Sequence, residues 1–417
     1  MIKAALLGAG NRGMFAYGSY ALDRPNEIQF VAIAEPNTKK REKFAETHGI
    51  EEDMQFSNWE DLLDNPKLCD VLLVCTQDRN HYEPTMKALD IGYDILLEKP
   101  MSPNPSETLE MAEKAHQCNQ ILTVCHVLRY STFFSELKSI IDDNKIGDIM
   151  SIQWNENVGY YHQAHSFVRG NWRNSTESSS MILQKCSHDM DMLQWLIGEQ
   201  CTKVSSFGSL SYFNEDNAPE GSTERCTDGC AVEHECPYSA LKWYHNEKTT
   251  WPVNVVELTP DLDMRLKAIK EGPYGRCVYR SDNNVVDHQV ANLLFENGVT
   301  VAFTMSAFTK EQGRTFQLMG TKGEIIGSTT KNEITIKYFS GKEEVISPAQ
   351  VQGGHGGADT MIMRDFVKQI NDKTYKSKTS AMESAKSHLI AFAAEESRLS
   401  GETISMDEYM NQLKQLN

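Results

Sequence analysis

The chain has no long run of apolar residues. Nowhere in its 417 residues does it approach the ~20 consecutive apolar positions that a membrane-spanning helix needs. Its first residues lead directly into an apolar stretch predicted to be a strand, which leaves no room for a signal peptide. We therefore expect a cytoplasmic protein with no membrane partner.

Basic residues are also scarce. Lys and Arg total 41 against 58 Asp and Glu, which gives a formal net charge of −17. Nucleic acids and anionic membranes bind basic surfaces, so this balance argues against both as partners. The length exceeds what one compact core usually serves, and two domains are expected.

The N-terminal residues carry the pattern of a dinucleotide site. Residues 4–7 read as a buried strand, and residues 8–13 then spell G-x-G-x-x-G, with Asn11 and Arg12 between the last two glycines. Gly8 would permit the tight turn, and Gly10 would let a pyrophosphate approach the backbone. Gly13 would let the following helix pack closely on the strand, with its N-terminus towards the phosphates.

A second apolar run, residues 30–34, ends at Glu35. An acidic residue at this distance from the glycines accepts the ribose hydroxyls of NAD, although Glu35 could instead cap the next helix. Its charge would repel a 2′-phosphate, which favours NAD. NADP is not excluded, because one of the cationic side chains of Lys39, Lys40 and Arg41, which follow closely, could reach its 2′-phosphate.

Strands and helices alternate up to about residue 122. Further strands are predicted at 71–75, 94–97 and 121–125, with helices at 81–89 and 106–118. This order predicts a doubly wound parallel sheet, in which ligands bind beyond the carboxyl ends of the strands. The residues at those ends that we assign to the cofactor site are Thr76, His81, Glu98 and Lys99.

Residues 123–417 follow a different pattern. Strands are predicted at 149–154, 204–207, 291–295, 300–306, 315–319, 323–327 and 333–338. Turns containing Gly or Asn join several of them, which favours an open, largely antiparallel sheet in an α+β domain. Helices are expected at 359–370 and 379–397, and residues 214–285 are expected to form an irregular insertion.

Two residue clusters are candidates for binding. The segment 159–173 is rich in aromatic, His and Arg residues, which suit a polyhydroxylated ring, although it could be a packing loop. Its predicted substrate ligands are His162, Arg169 and Trp172. Within the insertion, four thiolates could hold a structural Zn²⁺, with an iron–sulfur cluster or free thiols as alternatives. These thiols belong to Cys226, Cys230, Cys236 and Cys277.

Several motifs together resemble the glucose-fructose oxidoreductase / inositol dehydrogenase / MocA family. They are G-A-G-N-R-G at 8–13, A-E-P at 34–36, E-K-P at 98–100, Arg129-Tyr130 followed by K-I-G-D-I at 145–149, and H-D-M-D-M-L-Q-W-L-I-G at 188–198. The resemblance implies a Rossmann domain, a substrate domain with an open sheet, and NAD(P)-linked oxidation or reduction of a sugar or cyclitol hydroxyl. It also implies a homodimer or homotetramer formed through the open sheets.

The resemblance also implies two catalytic residues. Lys99 matches the family lysine near the reacting hydroxyl, and His188 matches the histidine that takes or gives the alcohol proton. These roles suit an ammonium and an imidazole. Alternatively, Lys99 could be a surface lysine that precedes a proline, and His188 could be a helix-capping or core histidine.

One position departs from the family. Gln184 stands where an aspartate is usual, and Cys186 replaces a glycine. Lys185, Asp189 and His162 are candidates to replace the missing acid, and we include Lys185 and Asp189 among the predicted substrate ligands. The departure leaves two other functions open, namely a redox-neutral glycoside-cleaving enzyme with tightly bound NAD and a non-catalytic sugar or nucleotide sensor.

Overall fold

A computed structural model describes residues 1–416 of the chain. Its first sheet contains six parallel strands in the order β3-β2-β1-β4-β5-β6. The strands are β1 (Ile2–Leu7), β2 (Ile28–Ala34), β3 (Gln55–Phe56), β4 (Val71–Val74), β5 (Asp94–Leu97) and β6 (Leu122–Val124). Helices cover both faces, so β4 and β5 are buried throughout and read as unbroken apolar runs. The predicted Rossmann-type domain is confirmed.

The helices of this first half connect consecutive strands. A π-helix, Arg12–Gly18, starts directly after the glycine turn and continues as an α-helix. The α-helices are Ser19–Asp23, Thr38–His48, Trp59–Leu63, Tyr82–Ile91 and Pro105–Gln117. Among residues 1–416, no helix combines the length and apolar content that crossing a bilayer would take.

The second sheet has nine strands in the order β14-β13-β12-β11-β7-β10-β9-β8-β15. The strands are β7 (Ile149–Asn157), β8 (Cys201–Ser209), β9 (His288–Phe295), β10 (Thr300–Ser306), β11 (Gly313–Gly320), β12 (Gly323–Ser328), β13 (Glu333–Tyr338), β14 (Glu343–Ile346) and β15 (Ile404–Ser405). Strands β7 and β10 pair in parallel, and the other neighbouring pairs of the described chain are antiparallel. The expected open, largely antiparallel sheet is confirmed.

Helices cover one face of the second sheet. They include Thr132–Asp142, Ser187–Ile197 and Ala381–Ser400, and their apolar faces share one core with the inward residues of the strands. Trp154 on β7 lies in that core, stacked on Phe316 with ring centroids 4.8 Å apart. Other helices of this half include Tyr160–His162, Gln163–Arg169 (a π-helix), Met181–Gln184 and Met406–Leu416.

The segment 214–285 contains more regular structure than the sequence suggested. It forms the helices Ala240–Tyr244, Val253–Val256 and Leu262–Glu271. The last begins at Asp261, whose side chain accepts a hydrogen bond from the backbone N–H of Met264. The expectation of an irregular insertion is therefore wrong over these helices, which are too short to show a clear apolar repeat.

One helix of the second half returns to the first sheet. Helix Ala358–Asn371 buries Ile362, Met363 and Phe366 against the core that also contains β1 and β2. Strand β6 of the first sheet crosses the predicted division at residue 122 and ends at Val124, and the second sheet begins with β7. Helix Ala358–Asn371 joins the two halves. The Gly-rich segment before it thereby reaches the carboxyl ends of the parallel strands.

Candidate active site

A cleft of about 1040 Å³ opens beyond the carboxyl ends of the parallel strands. Both halves of the chain and the insertion line it, as expected for a ligand site in an open α/β sheet. Its lining residues include Gly10, Asn11, Arg12, Lys39, Lys40, Thr76, Glu98, Lys99, His162, Trp172, Gln184, Lys185, His188, Trp251 and His355.

The glycine turn has the geometry that the sequence predicts. Gly8 has φ +92°, and a Cβ there would lie 2.6 Å from the carbonyl oxygen of Cys75. A Cβ on Gly13 would lie 2.4 Å from the carbonyl oxygen of Gly8, so the helix can pack this closely only without a side chain. No atom lies within 4 Å of a Cβ built on Gly10, which leaves its backbone open towards the cleft.

Glu35 lies against this turn at the end of β2. Its carboxylate accepts hydrogen bonds from the backbone N–H groups of Ala9 (2.7 Å) and Asn37 (2.9 Å). Arg41 is held by the backbone carbonyl of Glu35 (2.6 Å), whereas Lys39 and Lys40 line the cleft. The acidic group is therefore positioned beside the turn, and Asn37 rather than Glu35 caps helix Thr38–His48.

All three guanidinium nitrogens of Arg12 donate hydrogen bonds to side chains of the protein. It contacts Glu98 (2.6 Å), both carboxylate oxygens of Asp359 (2.9 Å each) and the Tyr17 hydroxyl (2.7 Å). Burial acts to raise the pKa of Glu98, but Arg12 and Tyr17 outweigh it and hold that pKa below its usual value. Arg12 thus ties the cofactor turn to helix Ala358–Asn371.

Two predicted strand-end residues differ in position. Thr76 lines the cleft, and its hydroxyl donates to the backbone carbonyl of Asn80 (2.8 Å). His81 is buried, with its ring nitrogens 2.7 Å from the carbonyl of Pro100 and 3.2 Å from that of Thr76. His81 therefore connects two strand ends instead of facing the cleft.

Lys99 and His188 line the same cleft from the two halves of the chain. The Lys99 ammonium donates to the backbone carbonyl of Gln184 at 2.6 Å. Burial lowers the pKa of Lys99 to about 8, against the opposing charges of Glu98 and Asp78. Burial, followed by the positive charge of Lys99, also lowers the pKa of His188 well below its usual value. A cation and a neutral imidazole therefore meet in one site.

The predicted substrate residues separate into two groups. His162, Trp172 and Lys185 line the cleft, and Lys185 also pairs with the buried Glu156 at 3.3 Å. Arg169 and Asp189 lie elsewhere. Asp189 is buried and binds Trp154 Nε1 (2.8 Å) and Arg314 (2.7 and 2.9 Å).

Arg169 donates to the backbone carbonyls of Arg276 (2.7 Å) and Tyr238 (2.8 Å). Because these bonds hold its guanidinium outside the cleft, Arg169 is not in a position to contact a substrate there. The structure gives Asp189 no such position either, since both of its oxygens face Arg314.

The four cysteines of the predicted metal site line a second, much smaller cavity of about 20 Å³. All four are free thiols. Within residues 1–416, no group of three or more His, Cys, Asp or Glu side chains is arranged so that it could hold a metal ion.

Among the cleft residues that sequence reasoning missed are His355 and Trp251. His355 reaches it from the segment Gly353-Gly354-His355-Gly356-Gly357, and its Nδ1 lies 3.0 Å from Asp359. Trp251 comes from the insertion and lies edge-on to His162, with ring centroids 5.0 Å apart. The glycine run was a usable signal for His355, whereas nothing local marks Trp251.

Comparison with known proteins agrees with this geometry. Residues 2–126 match a family described as "Oxidoreductase family, NAD-binding Rossmann fold", and residues 138–406 match "Oxidoreductase family, C-terminal alpha/beta domain". The putative oxidoreductase YteT of Bacillus subtilis (strain 168) is 25% identical over 313 residues, which is 71% of this chain and 72% of YteT.

Two further proteins are informative. The scyllo-inositol 2-dehydrogenase (NAD(+)) of Bacillus subtilis (strain 168) is 25% identical over 217 residues, which is 50% of this chain and 58% of that protein. The structure of a levoglucosan dehydrogenase in complex with NADH superposes with a TM-score of 0.71 at 19% identity, covering 97% of this chain and 99% of the other. At 19% identity, the likeness to the levoglucosan dehydrogenase structure shows a shared fold alone.

The two family matches together cover nearly the whole chain, and the site has the cofactor turn that this family's first domain requires. The chain belongs to the Gfo/Idh/MocA oxidoreductase family and is an NAD(P)-dependent oxidoreductase.

Proposed function

We propose that the chain transfers hydride between NAD and a hydroxyl-bearing carbon of a sugar, glycoside or cyclitol. The observation that carries the proposal is that the Lys99 ammonium and the half-buried imidazole of His188, whose pKa is lowered well below its usual value, line the same cleft beside the glycine turn. The named relative acting on scyllo-inositol supports a polyhydroxylated substrate.

The residues around the glycine turn fit a dinucleotide. The open backbone at Gly10 suits a pyrophosphate, and the Glu35 carboxylate beside the turn suits ribose hydroxyls and disfavours a 2′-phosphate. This supports NAD over NADP. Bound NAD would supply the acceptor for hydride, and the chain would have to handle only the proton and the charge on oxygen.

His188 can handle the hydroxyl proton, and Lys99 can handle the negative charge on the oxygen. As the substrate C–H bond gives up hydride, the hydroxyl proton moves to the neutral imidazole of His188, and the reverse reaction returns it. The Lys99 ammonium stabilises the negative charge that develops on the oxygen. In the cleft wall, Trp172 and Trp251 offer aromatic faces, while His162 and Lys185 offer polar contacts.

Purified protein denatured in acid, followed by identification of released nucleotide, tests the cofactor. Steady-state assays with sugars, glycosides and cyclitols then test for NADH formation. We expect NADH to accumulate with at least one of these substrates and to be lost in Lys99→Met.

Cleavage of a glycoside with retained NAD and no NADH signal would contradict net oxidation and favour the redox-neutral reaction. Ligand binding unaffected by Lys99→Met, without turnover of any kind, would favour a sensor.

We also propose that the second sheet pairs with another copy of the chain, as a dimer or tetramer. Helices cover one face, while the other exposes apolar side chains such as Phe207, Val290 and Ile326. Phe207 and Val290 are direct neighbours in the β8–β9 register, so these two apolar side chains lie side by side on the exposed face. Sedimentation of wild type and Phe207→Glu tests this, with a smaller species expected for the variant.

A further inference from the structure

We propose that Cys226, Cys230, Cys236 and Cys277 form a tetrathiolate Zn²⁺ site that holds the insertion in place beside the active-site cleft. All four cysteines line one cavity of about 20 Å³, which is the scale of a single small ion. No other residue type in that cavity supplies a comparable set of soft ligands.

The backbone brings the four cysteines together from distant parts of the chain. The N–H of Cys226 donates to the carbonyl of Gly275 (3.0 Å), and the N–H of Cys277 donates to the carbonyl of Glu224 (2.8 Å). These two bonds pair the segments around residues 225 and 276, so the first and last cysteines are neighbours although 51 positions separate their numbers, 226 and 277. The site is therefore built by the fold and not by one loop.

Hydrogen-bond donors already face the sulfur atoms. Cys226 Sγ accepts from the backbone N–H of Ala240 (3.4 Å) and from Arg169 (3.6 Å). The backbone N–H groups of Tyr238 and Tyr279 face the thiols of Cys236 and Cys277. Donors of this kind stabilise thiolates, which are the form that binds metal.

The charge of Arg169 supplies an independent argument. Its side chain is 1% exposed, and in residues 1–416 no carboxylate lies within salt-bridge distance of it. A buried cation without a counter-ion is costly. Four thiolates around one Zn²⁺ carry net negative charge, and Cys226 is the thiol that Arg169 contacts. Arg169 is thus the counter-ion of the proposed site.

The local apolar core is too small to explain why the insertion is ordered. Its larger cluster contains Ala164, Val168, Phe213 and five other buried residues, and a second cluster contains three. The insertion nevertheless supplies Trp251 and residues 254–258 to the cleft wall. A bound ion would stabilise such a fold and so fix the position of this wall. No three of these thiols are arranged to hold an ion in the described structure, so the proposal requires them to turn towards one another within their shared cavity when zinc binds.

The test measures zinc in the full-length protein purified without chelators. We expect about one zinc per chain in wild type and in the control Cys118→Ser, whose thiol lies in the first half of the chain, and less than about one tenth of that in Cys230→Ser and Cys236→Ser. A mercurial titrated into folded wild type should release the zinc, as read with a chromogenic indicator, which covers the case of variants that fail to fold.

Reconstitution with Co²⁺ should give the sulfur-to-metal charge-transfer absorption of a tetrahedral thiolate site. Wild type that contains no zinc and takes up no Co²⁺ under reducing conditions would overturn the proposal. Iron with acid-labile sulfide in place of zinc would do the same, as would full zinc retention in both cysteine variants. None of these results depends on the proposed oxidoreductase substrate, so the two proposals fail separately.

Discussion

The ammonium of Lys99 donates a 2.6 Å hydrogen bond to the backbone carbonyl of Gln184. Gln184 stands where an aspartate is usual in the family, but Lys99 contacts the backbone carbonyl, which every residue type has. The lysine is therefore oriented without a carboxylate, and its charge is not neutralised by one at position 184. That absence leaves burial as the main influence on its pKa, which is lowered to about 8.

The pKa of Lys99 predicts an alkaline limit to activity. Below about pH 8 the side chain is an ammonium and can stabilise an alkoxide, and above that pH it loses the proton. We expect kcat at saturating substrate and NAD to fall as pH rises through about 8. In Lys99→Arg the cation persists, so the alkaline limb should disappear even though the overall rate drops. An unchanged limb in that variant would show that another group titrates.

A carboxylate placed at position 184 should shift the alkaline fall of kcat to higher pH. The Gln184→Asp variant puts a negative charge near the ammonium, which favours its protonated form and raises the pKa of Lys99 by roughly 1–3 units. The pH profile of kcat should then extend to higher pH, whereas Gln184→Asn should match the wild-type profile. A limb in the same place for both variants would contradict this arrangement.

Replacing His188 should remove the base while leaving the cofactor bound. We expect His188→Asn to lower kcat by roughly 10²–10⁴-fold, with little change in the dissociation constant for NAD. Because burial and Lys99 lower the pKa of His188 well below its usual value, the wild-type rate should show no acid limb at the pH where an ordinary histidine becomes protonated. The exposed His116→Asn serves as control. A loss of NAD binding equal to the loss of rate would instead indicate a structural role.

The parts of the site that sequence predicts correctly are those fixed by local chain geometry. Apolar runs predict β1, β4 and β5, and the spacing of Gly8, Gly10 and Gly13 defines the turn without reference to anything distant. Lys99 and His188 lie in the cleft, as the motifs imply.

Contacts between distant segments were beyond such reasoning. Asp189 follows His188 directly but faces the opposite way, because Arg314, 125 residues later, binds its carboxylate. His355 enters the cleft because helix Ala358–Asn371 packs back on the first sheet. Side-chain direction in both cases depends on long-range packing, which periodicity does not report.

Glu35 should determine the choice of dinucleotide. Its carboxylate is held at the cofactor turn by the N–H of Ala9, and removing the charge takes away the repulsion of a 2′-phosphate. In Glu35→Ser we expect kcat/KM for NAD to fall by roughly ten-fold and that for NADP to rise, with Lys39 and Lys40 lining the same cleft. The exposed Glu42→Ser should leave the ratio unchanged. An unaltered ratio in Glu35→Ser would remove Glu35 from cofactor selection.

We expect Arg314 to contribute strongly to the stability of the second domain. It lies between two fully buried carboxylates, binding Asp189 at 2.7 Å and Glu156 at 2.8 Å. Burial raises the pKa of Glu156 despite the positive charges of Arg314 and Lys185. Replacing the arginine with an apolar residue leaves the Asp189 charge buried without a cation and Glu156 with only Lys185.

We therefore expect Arg314→Met to lower the free energy of unfolding by roughly 3–5 kcal/mol, measured by urea denaturation. The same substitution at Arg398, which pairs with Glu395 nearer the surface, should cost less than about 1 kcal/mol. The pKa of Glu156 is already raised by burial, and without Arg314 the native state binds a proton there still more readily than the unfolded chain does. The stability of Arg314→Met should then fall as pH rises and partly recover as pH falls. Adding Asp189→Asn should recover part of the loss at neutral pH, because it removes the unpaired charge. A cost for Arg314→Met no larger than that of Arg398→Met, independent of pH, would show that solvent reaches these carboxylates.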